Sequence, residues 1–204
     1  IQATLILICF LVLVLSGFYE SAETALDQAM IQAVSISTTA GFATTDFSVW
    51  PTFLPILLIF SSFIGGCASS TGGGLKVVRV CLLFLQGKRE VDRLIHPKAV
   101  YAVKLGERAM PDRVVEAVWG FFSAYAVVFV VLMIGLIATG LDNLSAFTAT
   151  AAMLNNLGPG LGSVAANYAD VTDAGKWILV TGMVFGRLEV FSLLVLFSPT
   201  FWRS

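Results

Sequence analysis

The chain has 204 residues, 57% of them hydrophobic and 12% charged, with a mean hydropathy of +0.89. Soluble globular domains carry about 25% charged residues, so a disordered chain is excluded and an ordinary soluble domain is disfavoured. The formal charge of −1 conceals a segregation. Nine of the twelve Lys and Arg residues lie between Lys76 and Arg113, whereas Gly17 to Gly74 holds no basic residue and four acidic ones, Glu20, Glu23, Asp27 and Asp46. This is the pattern of a polytopic membrane protein.

In chain order, Ile1 to Phe18 is an apolar run nearly long enough to span a hydrocarbon core, which takes about 20 residues. Ser21 to Ser37 is mixed in polarity and too short to cross, a length that suits a re-entrant or interfacial helix. Pro51 to Leu85 would reach roughly 52 Å as one helix, too long for a bilayer. Its middle, Gly65-Gly66-Cys67-Ala68-Ser69-Ser70-Thr71-Gly72-Gly73-Gly74, is the poorest helix-forming stretch of the chain, so the expectation is a helix broken inside the membrane. Val114 to Thr139 is a clean span. Asp142 to Leu154 is a second short helix, with Asp142 or Asn143 as its N-cap, and Trp177 to Phe197 a last span with Lys176 snorkelling at its edge.

The charges orient this arrangement. Lys88, Arg89, Arg93, Lys98, Lys104, Arg108 and Arg113 fall in one connection, which is expected to be cytoplasmic, together with the C-terminus at Arg203. The acidic connections, from Glu20 to Asp46 and around Asp142, Asp170 and Asp173, then lie outside. Cys9, Cys67 and Cys81 support neither a disulfide framework nor a CxxC metal site, and a single His96 rules out a multi-histidine site. No basic n-region precedes the first apolar run, and the chain opens inside that run without Met, as a piece of a longer polypeptide would.

The sequence also repeats: span, short helix, glycine turn, span, twice over. The first short helix runs into Thr38-Thr39-Ala40-Gly41-Phe42 and the second into Asn155-Asn156-Leu157-Gly158-Pro159, and the two glycines are 117 residues apart. Non-helical backbone at membrane depth is tolerated only where protein buries it or water lines it. A helix ending there aims its negative dipole end at the next residues of the chain. A glycine among them allows positive φ, so carbonyls can turn inward and replace the hydration shell of a cation. Each motif alone reads first as a helix C-cap with a turn. Two copies on the same side favour an ion path. A serine protease reading of Ser69 or Ser70 lacks a base at membrane depth, and Gly66 to Lys76 lacks the Gly-Lys-Ser/Thr ending of a phosphate loop.

These stretches, with Gly65 to Lys76 as the most specific and Phe185-Gly186-Arg187-Leu188-Glu189 beside them, resemble the Trk/Ktr/HKT potassium transporter superfamily, and within it the C-terminal half of the bacterial Trk membrane subunit. The resemblance implies an all-α integral membrane fold of two span–pore helix–filter–span repeats, at 1–87 and 113–204, joined by a basic cytoplasmic linker at 88–112. It implies that Thr38, Thr39, Ala40, Gly41, Asn155, Asn156, Leu157 and Gly158 supply half of a K⁺ filter, with K⁺ bound at Thr38, Thr39, Asn155 and Asn156. Residues Gly65 to Gly74 would form an intramembrane gate loop and Arg187 a cation barrier. Arg187 is expected near the centre of its span, where Glu189, turned about 200° away, is a poor partner. An ion pair with another helix is the alternative role for Arg187, and passive packing of small residues the alternative for the loop. The implied setting is the bacterial inner membrane. The implied partners are the N-terminal half of the same polypeptide, a second copy in a homodimer, membrane lipids, and a cytoplasmic nucleotide-binding ring, TrkA. No organic cofactor, nucleic acid or enzymatic activity is implied. A non-conducting membrane scaffold is the competing reading.

Overall fold

The computed structural model describes residues 2–51, 53–66, 73–96, 99, 101–188 and 202. Seven α-helices are described, in the order α1 (Gln2–Leu15), α2 (Ala22–Ser37), α3 (Leu54–Ile64), α4 (Val77–Ile95), α5 (Asp112–Ala138), α6 (Asn143–Leu154) and α7 (Asp173–Arg187). Single 3₁₀ turns at Phe47–Val49 and Gly162–Val164 come after the strands that leave α2 and α6.

Local chemistry sets most of these boundaries. Ser21 caps α2 by accepting from the Glu23 N–H, and Asp142 caps α6 by accepting from the Ser145 N–H at 3.1 Å. Pro55 stands in the first turn of α3, where its missing N–H costs nothing. α1 and α5 end in Schellman motifs. The Phe18 N–H donates to the Leu13 carbonyl and the Leu141 N–H to that of Leu136, with Gly17 and Gly140 at the positive φ these turns need.

Only α5, 27 residues long, is both long and apolar enough to cross a membrane among the described residues; α1 and α3 are shorter apolar helices. Val127, Val131 and Ile134 of α5 are exposed, whereas the core helix of a soluble domain would bury them. The short α6 lies at the centre instead. Nine of its twelve residues are buried, four of them alanines, and it packs against α3, α5 and α7. α1 and α2 meet along Leu5, Cys9 and Leu13 on one side and Ala25, Ala29 and Ala33 on the other. A small residue every fourth position lets the helix axes approach closely.

Two features differ from the sequence expectation. α4 continues through Lys88, Arg89 and Arg93, so the boundary drawn at 87/88 falls inside a helix, whose buried Arg89 donates to Asp112 at the start of α5 (2.6 Å). The fold is also not purely helical. A two-residue antiparallel hairpin pairs Lys104 with Ala109 and Leu105 with Arg108, turned by Gly106 at φ +63. A strand pair this short carries no periodicity to read.

Asp142→Ala removes the α6 cap and is expected to cost about 1 kcal/mol, read as a drop of a few degrees in melting temperature of the complete protein. Ser145, first through its hydroxyl and then its backbone N–H, holds the Asp142 carboxyl below the ordinary carboxylate range. A depressed folded-state pKa gives stability that is present above about pH 4 and lost as pH falls through the lower, folded value. Asp142→Asn, an uncharged cap, should therefore lack part of the acid-side loss; an identical acid profile in both proteins would remove this role from the charge.

Candidate functional site

The two short helices end identically, bond for bond. After α2, the N–H groups of Thr38, Thr39, Ala40 and Gly41 donate to the carbonyls of Val34, Ile36, Ser35 and Ser35. After α6, those of Asn155, Asn156, Leu157 and Gly158 donate to Ala151, Met153, Ala152 and Ala152. Each bond in the second set is the first displaced by 117 residues. Both are Schellman motifs, as at the ends of α1 and α5, with one difference. The left-handed residue is not glycine but Thr39 (φ +59) and Asn156 (φ +55). Asparagine tolerates that region, but a β-branched threonine there is a true outlier, costing about 1–2 kcal/mol. The sequence reading put the first left-handed turn at the glycines. Gly41 (φ +77) and Gly158 (φ +102) instead make a second one, two residues on.

This alternation has a chemical result. Four successive N–H groups point back into the helix that precedes them, and no hydrogen bond among the described residues ends on the carbonyls of Thr38, Thr39, Ala40, Gly41, Asn155, Asn156 or Leu157. Only Gly158 of the eight has a described donor, the Tyr168 hydroxyl at 2.7 Å, a phenol whose pKa burial pushes up. Two short strands of carbonyl oxygens without a donor among the described residues remain, apart from that of Gly158. Oxygen ligands of this kind suit hard, weakly acidic cations.

The strands also touch. A Cβ on Gly41 would collide with the Leu157 carbonyl oxygen, so residues 116 apart in the chain lie in direct contact. Beyond each strand the chain is pinned to its own short helix. The Ser35 hydroxyl donates to the Phe42 carbonyl (2.6 Å), and Gln32 Nε2 donates to that of Thr45 (3.2 Å). The Leu161 N–H donates to Thr148 Oγ1 (3.0 Å) and that of Ser163 to Ser145 Oγ (2.9 Å). Buried Gln32 Oε1 and Thr39 Oγ1 have no partner among the described residues.

Of the glycine-rich stretch, Gly65, Gly66, Gly73 and Gly74 are described; Cys67, Ala68, Ser69, Ser70, Thr71 and Gly72 lie outside the described residues. The helix does break here, since α3 stops at Ile64 and α4 starts at Val77. The two ends are drawn together by the Leu75 N–H donating to the Phe63 carbonyl (2.8 Å), with Gly65 packed on Gly73 and Gly74. Gly73 lies against the Asn155 carbonyl, where any side chain would collide with backbone. The stretch thus meets the second strand at its first residue.

Arg187 is the last residue of α7, with Leu188 at the C-cap, so it stands at a helix C-terminus, where the dipole favours a cation. The expected continuation of that helix from 189 to 197 lies outside the described residues. Gly186, its neighbour, packs against the Leu154 carbonyl and the Asn156 side chain, whose Nδ2 donates to the Met183 carbonyl (3.4 Å). α7 therefore meets the second strand at Gly186, one residue before Arg187.

The sequence reading did not single out Ser62 and Tyr125. The Tyr125 hydroxyl donates to Asn155 Oδ1 (2.6 Å), Asn155 Nδ2 donates to Ser62 Oγ (2.9 Å), and Ser62 Oγ donates to the Ile59 carbonyl (2.6 Å). Asn155 offers its backbone carbonyl to the strand, while its side chain serves this buried chain of bonds. A polar residue isolated in an apolar span, as Tyr125 is, was the only signal available for it.

Glycine substitution separates the two strands. Gly158→Ala meets no atom within 4 Å and carries only the cost of its left-handed backbone, about 1–2 kcal/mol. Gly41→Ala carries that cost and a collision with the Leu157 oxygen. Melting temperatures of the complete protein should rank wild type above Gly158→Ala above Gly41→Ala; equal losses in both variants would contradict the contact.

Residues 5–204 match the TrkH family, described as cation transport proteins. The chain is 66% identical over its full length to the Trk system potassium uptake protein TrkH of Vibrio parahaemolyticus and 61% identical to that of Escherichia coli K12, covering 42% of each. It aligns with the crystal structure of the potassium transporter TrkH from Vibrio parahaemolyticus at a TM-score of 0.93 and 65% identity, over 99% of this chain and 43% of that one. The chain thus spans about two fifths of the length of these relatives. It belongs to the TrkH family of cation transport proteins, a family of transporters and not of enzymes.

Proposed function

We propose that this chain supplies half of a K⁺-selective translocation path for K⁺ uptake across a bacterial inner membrane. The observation that carries the reading is the pair of strands whose N–H groups are all spent on their own short helices, leaving the carbonyls of Thr38 to Gly41 and Asn155 to Leu157 available. Together these strands are two sides of a four-sided filter. K⁺ is the transported ion, held mainly by backbone oxygen, with Thr38, Thr39, Asn155 and Asn156 as its nearest residues. K⁺ is preferred because relatives 61–66% identical over the whole of this chain are named for potassium uptake.

The remaining strands of the ring come from the rest of a polypeptide of the relatives' length, organised as repeats of the same span–pore helix–filter–span unit. Residues Gly65 to Gly74 act beneath the filter as a gate, supported by the contact of Gly73 with the Asn155 carbonyl. Arg187, next to the residue packed on the second strand, raises the barrier to cations. A cation passing about 6 Å from a guanidinium meets about 3 kcal/mol at an effective dielectric of 20, which is about a hundredfold in rate. Asp46 and Asp142 on the outer connections concentrate cations at the mouth. The basic segment from Lys88 to Arg113 and the C-terminus face the cytoplasm, against anionic lipid and the TrkA ring, and the complete protein works as a homodimer.

The test is Rb⁺ uptake into liposomes by the complete polypeptide, with this 204-residue chain alongside. Block by K⁺ at far lower concentration than Na⁺ is expected of the complete protein, and silence of the short chain. No uptake with the regulatory ring and nucleotides present would return the chain to a membrane scaffold. Arg187→Ala in the complete protein should raise Rb⁺ flux by about tenfold or more, within the barrier given above; unchanged or lower flux would make Arg187 a structural ion pair. Shortening the 67–72 stretch should leave flux permanently high, whereas a folded but inactive protein would reduce it to packing.

A further inference from the structure

We infer that Tyr125 and Ser62 are selectivity-determining positioning residues, which fix the carbonyl of Asn155 by holding its side chain from two sides. The inference rests on the K⁺-path reading above and adds to it a pair of residues that touch no ion.

Asn155 is the first residue of the second carbonyl strand and is fully buried. Its side-chain amide is held at both ends, by the Tyr125 hydroxyl on α5 at 2.6 Å and by Ser62 on α3 at 2.9 Å. Ser62 is itself fixed by the Ile59 carbonyl at 2.6 Å, and both hydroxyls lie in apolar surroundings. Tyr125 packs among Phe63, Phe121 and Phe129 and is 5% exposed. Ser62 and Asn155 are fully buried and Tyr125 nearly so, so loss of either bond leaves a buried polar atom unsatisfied. A carbonyl whose own residue is held at Oδ1 and at Nδ2 has little freedom to rotate. That is the property a filter needs if it is to favour one cation radius over another.

Of the two strands, only the second has this device among the described residues. At the matching place after α2, Thr38 Oγ1 donates to the Val34 carbonyl of its own helix (2.7 Å), and the residues 117 positions from Tyr125 and Ser62 are Ile8 and Leu179. Neither can hydrogen-bond through its side chain. The first strand is thus fixed locally, and the second is fixed by helices of both repeats. Ser62 also lies one residue before Phe63, whose carbonyl closes the base of the glycine-rich stretch, and Gly73 of that stretch lies on the same Asn155 carbonyl. The carbonyl fixed by the relay is therefore the one the stretch touches.

The experiment uses the complete protein in liposomes and reads the ratio of K⁺ to Na⁺ potency as competitors of Rb⁺ uptake, beside the maximal uptake rate and the melting temperature. Tyr125→Phe removes one oxygen and no volume. Ser62→Val and Ser62→Thr have the same shape and differ in the hydroxyl. Tyr125→Phe and Ser62→Val are each expected to lower the potency ratio by about fivefold or more, because each leaves the Asn155 side chain held from one side only. Ser62→Thr should restore it, and the double variant Tyr125→Phe/Ser62→Val should fall little below the worse single, because both act through Asn155. A lowered rate or melting temperature with the wild-type ratio kept in Tyr125→Phe and Ser62→Val would make the relay purely structural and overturn the inference. If wild type itself shows no K⁺-selective block, the K⁺-path reading fails first and takes this inference with it.

Discussion

The structure depends on where four consecutive backbone N–H groups go. A helix end must satisfy its orphan carbonyls, and the Schellman turn does so with the N–H groups of the next residues along the chain. At the ends of α1 and α5 this only stops a helix, and glycine takes the left-handed position. At the ends of α2 and α6 the same turn is built on Thr39 and Asn156, and a second left-handed residue comes at Gly41 and Gly158. The helix-cap reading and the ion-path reading of these motifs are therefore not rivals. The cap is the means by which the N–H groups are removed from the strand, and carbonyls without a described donor are its by-product. Backbone strain at a β-branched residue, with a second non-glycine outlier at the equivalent place, is the kind of feature from which a function is properly argued.

A strand of free carbonyls needs an external hold, because it has no ladder of its own. Each strand obtains it from its own short helix, through Ser35 and Gln32 in one case and Ser145 and Thr148 in the other. The two halves of the chain then interlock at the strands themselves. Gly41 lies on the Leu157 oxygen and Gly73 on that of Asn155, and within the second half Gly186 lies on the oxygen of Leu154. At each of the three a Cβ would strike a main-chain oxygen, so these glycines are required by close approach and, at Gly41, by φ as well. Small residues in this chain serve contact between backbones more than flexibility.

Much of this was legible in the sequence, and the limits reflect the range of the forces involved. N-cap signals are local, which is why Ser21 and Asp142 marked the starts of α2 and α6. The glycine-rich break between α3 and α4 was legible for the same reason: ten residues of poor propensity leave no helical alternative. The persistence of α4 through Lys88 and Arg93 was hidden by charge, which reads as a loop although Lys and Arg are good helix formers. The bonds of Tyr125 and Ser62 to Asn155 span 30 and 93 residues, and no window of sequence brings those three together.

That last distance also separates the supports of the two strands. Equal hydrogen bonds around the two strands make them equivalent as backbone, but their supports are not equivalent. The α2 strand can relax with its helix, since Thr38 bonds only within it and Thr39 Oγ1 has no described partner. The α6 strand cannot move unless α3 and α5 move too, because Asn155 is tied to both. The chain at the two ends of the glycine-rich stretch meets Asn155 at two places, Ser62 and Gly73, while the first strand touches the second where Gly41 lies on the Leu157 oxygen. α3, α5 and α6 thus converge on the second strand.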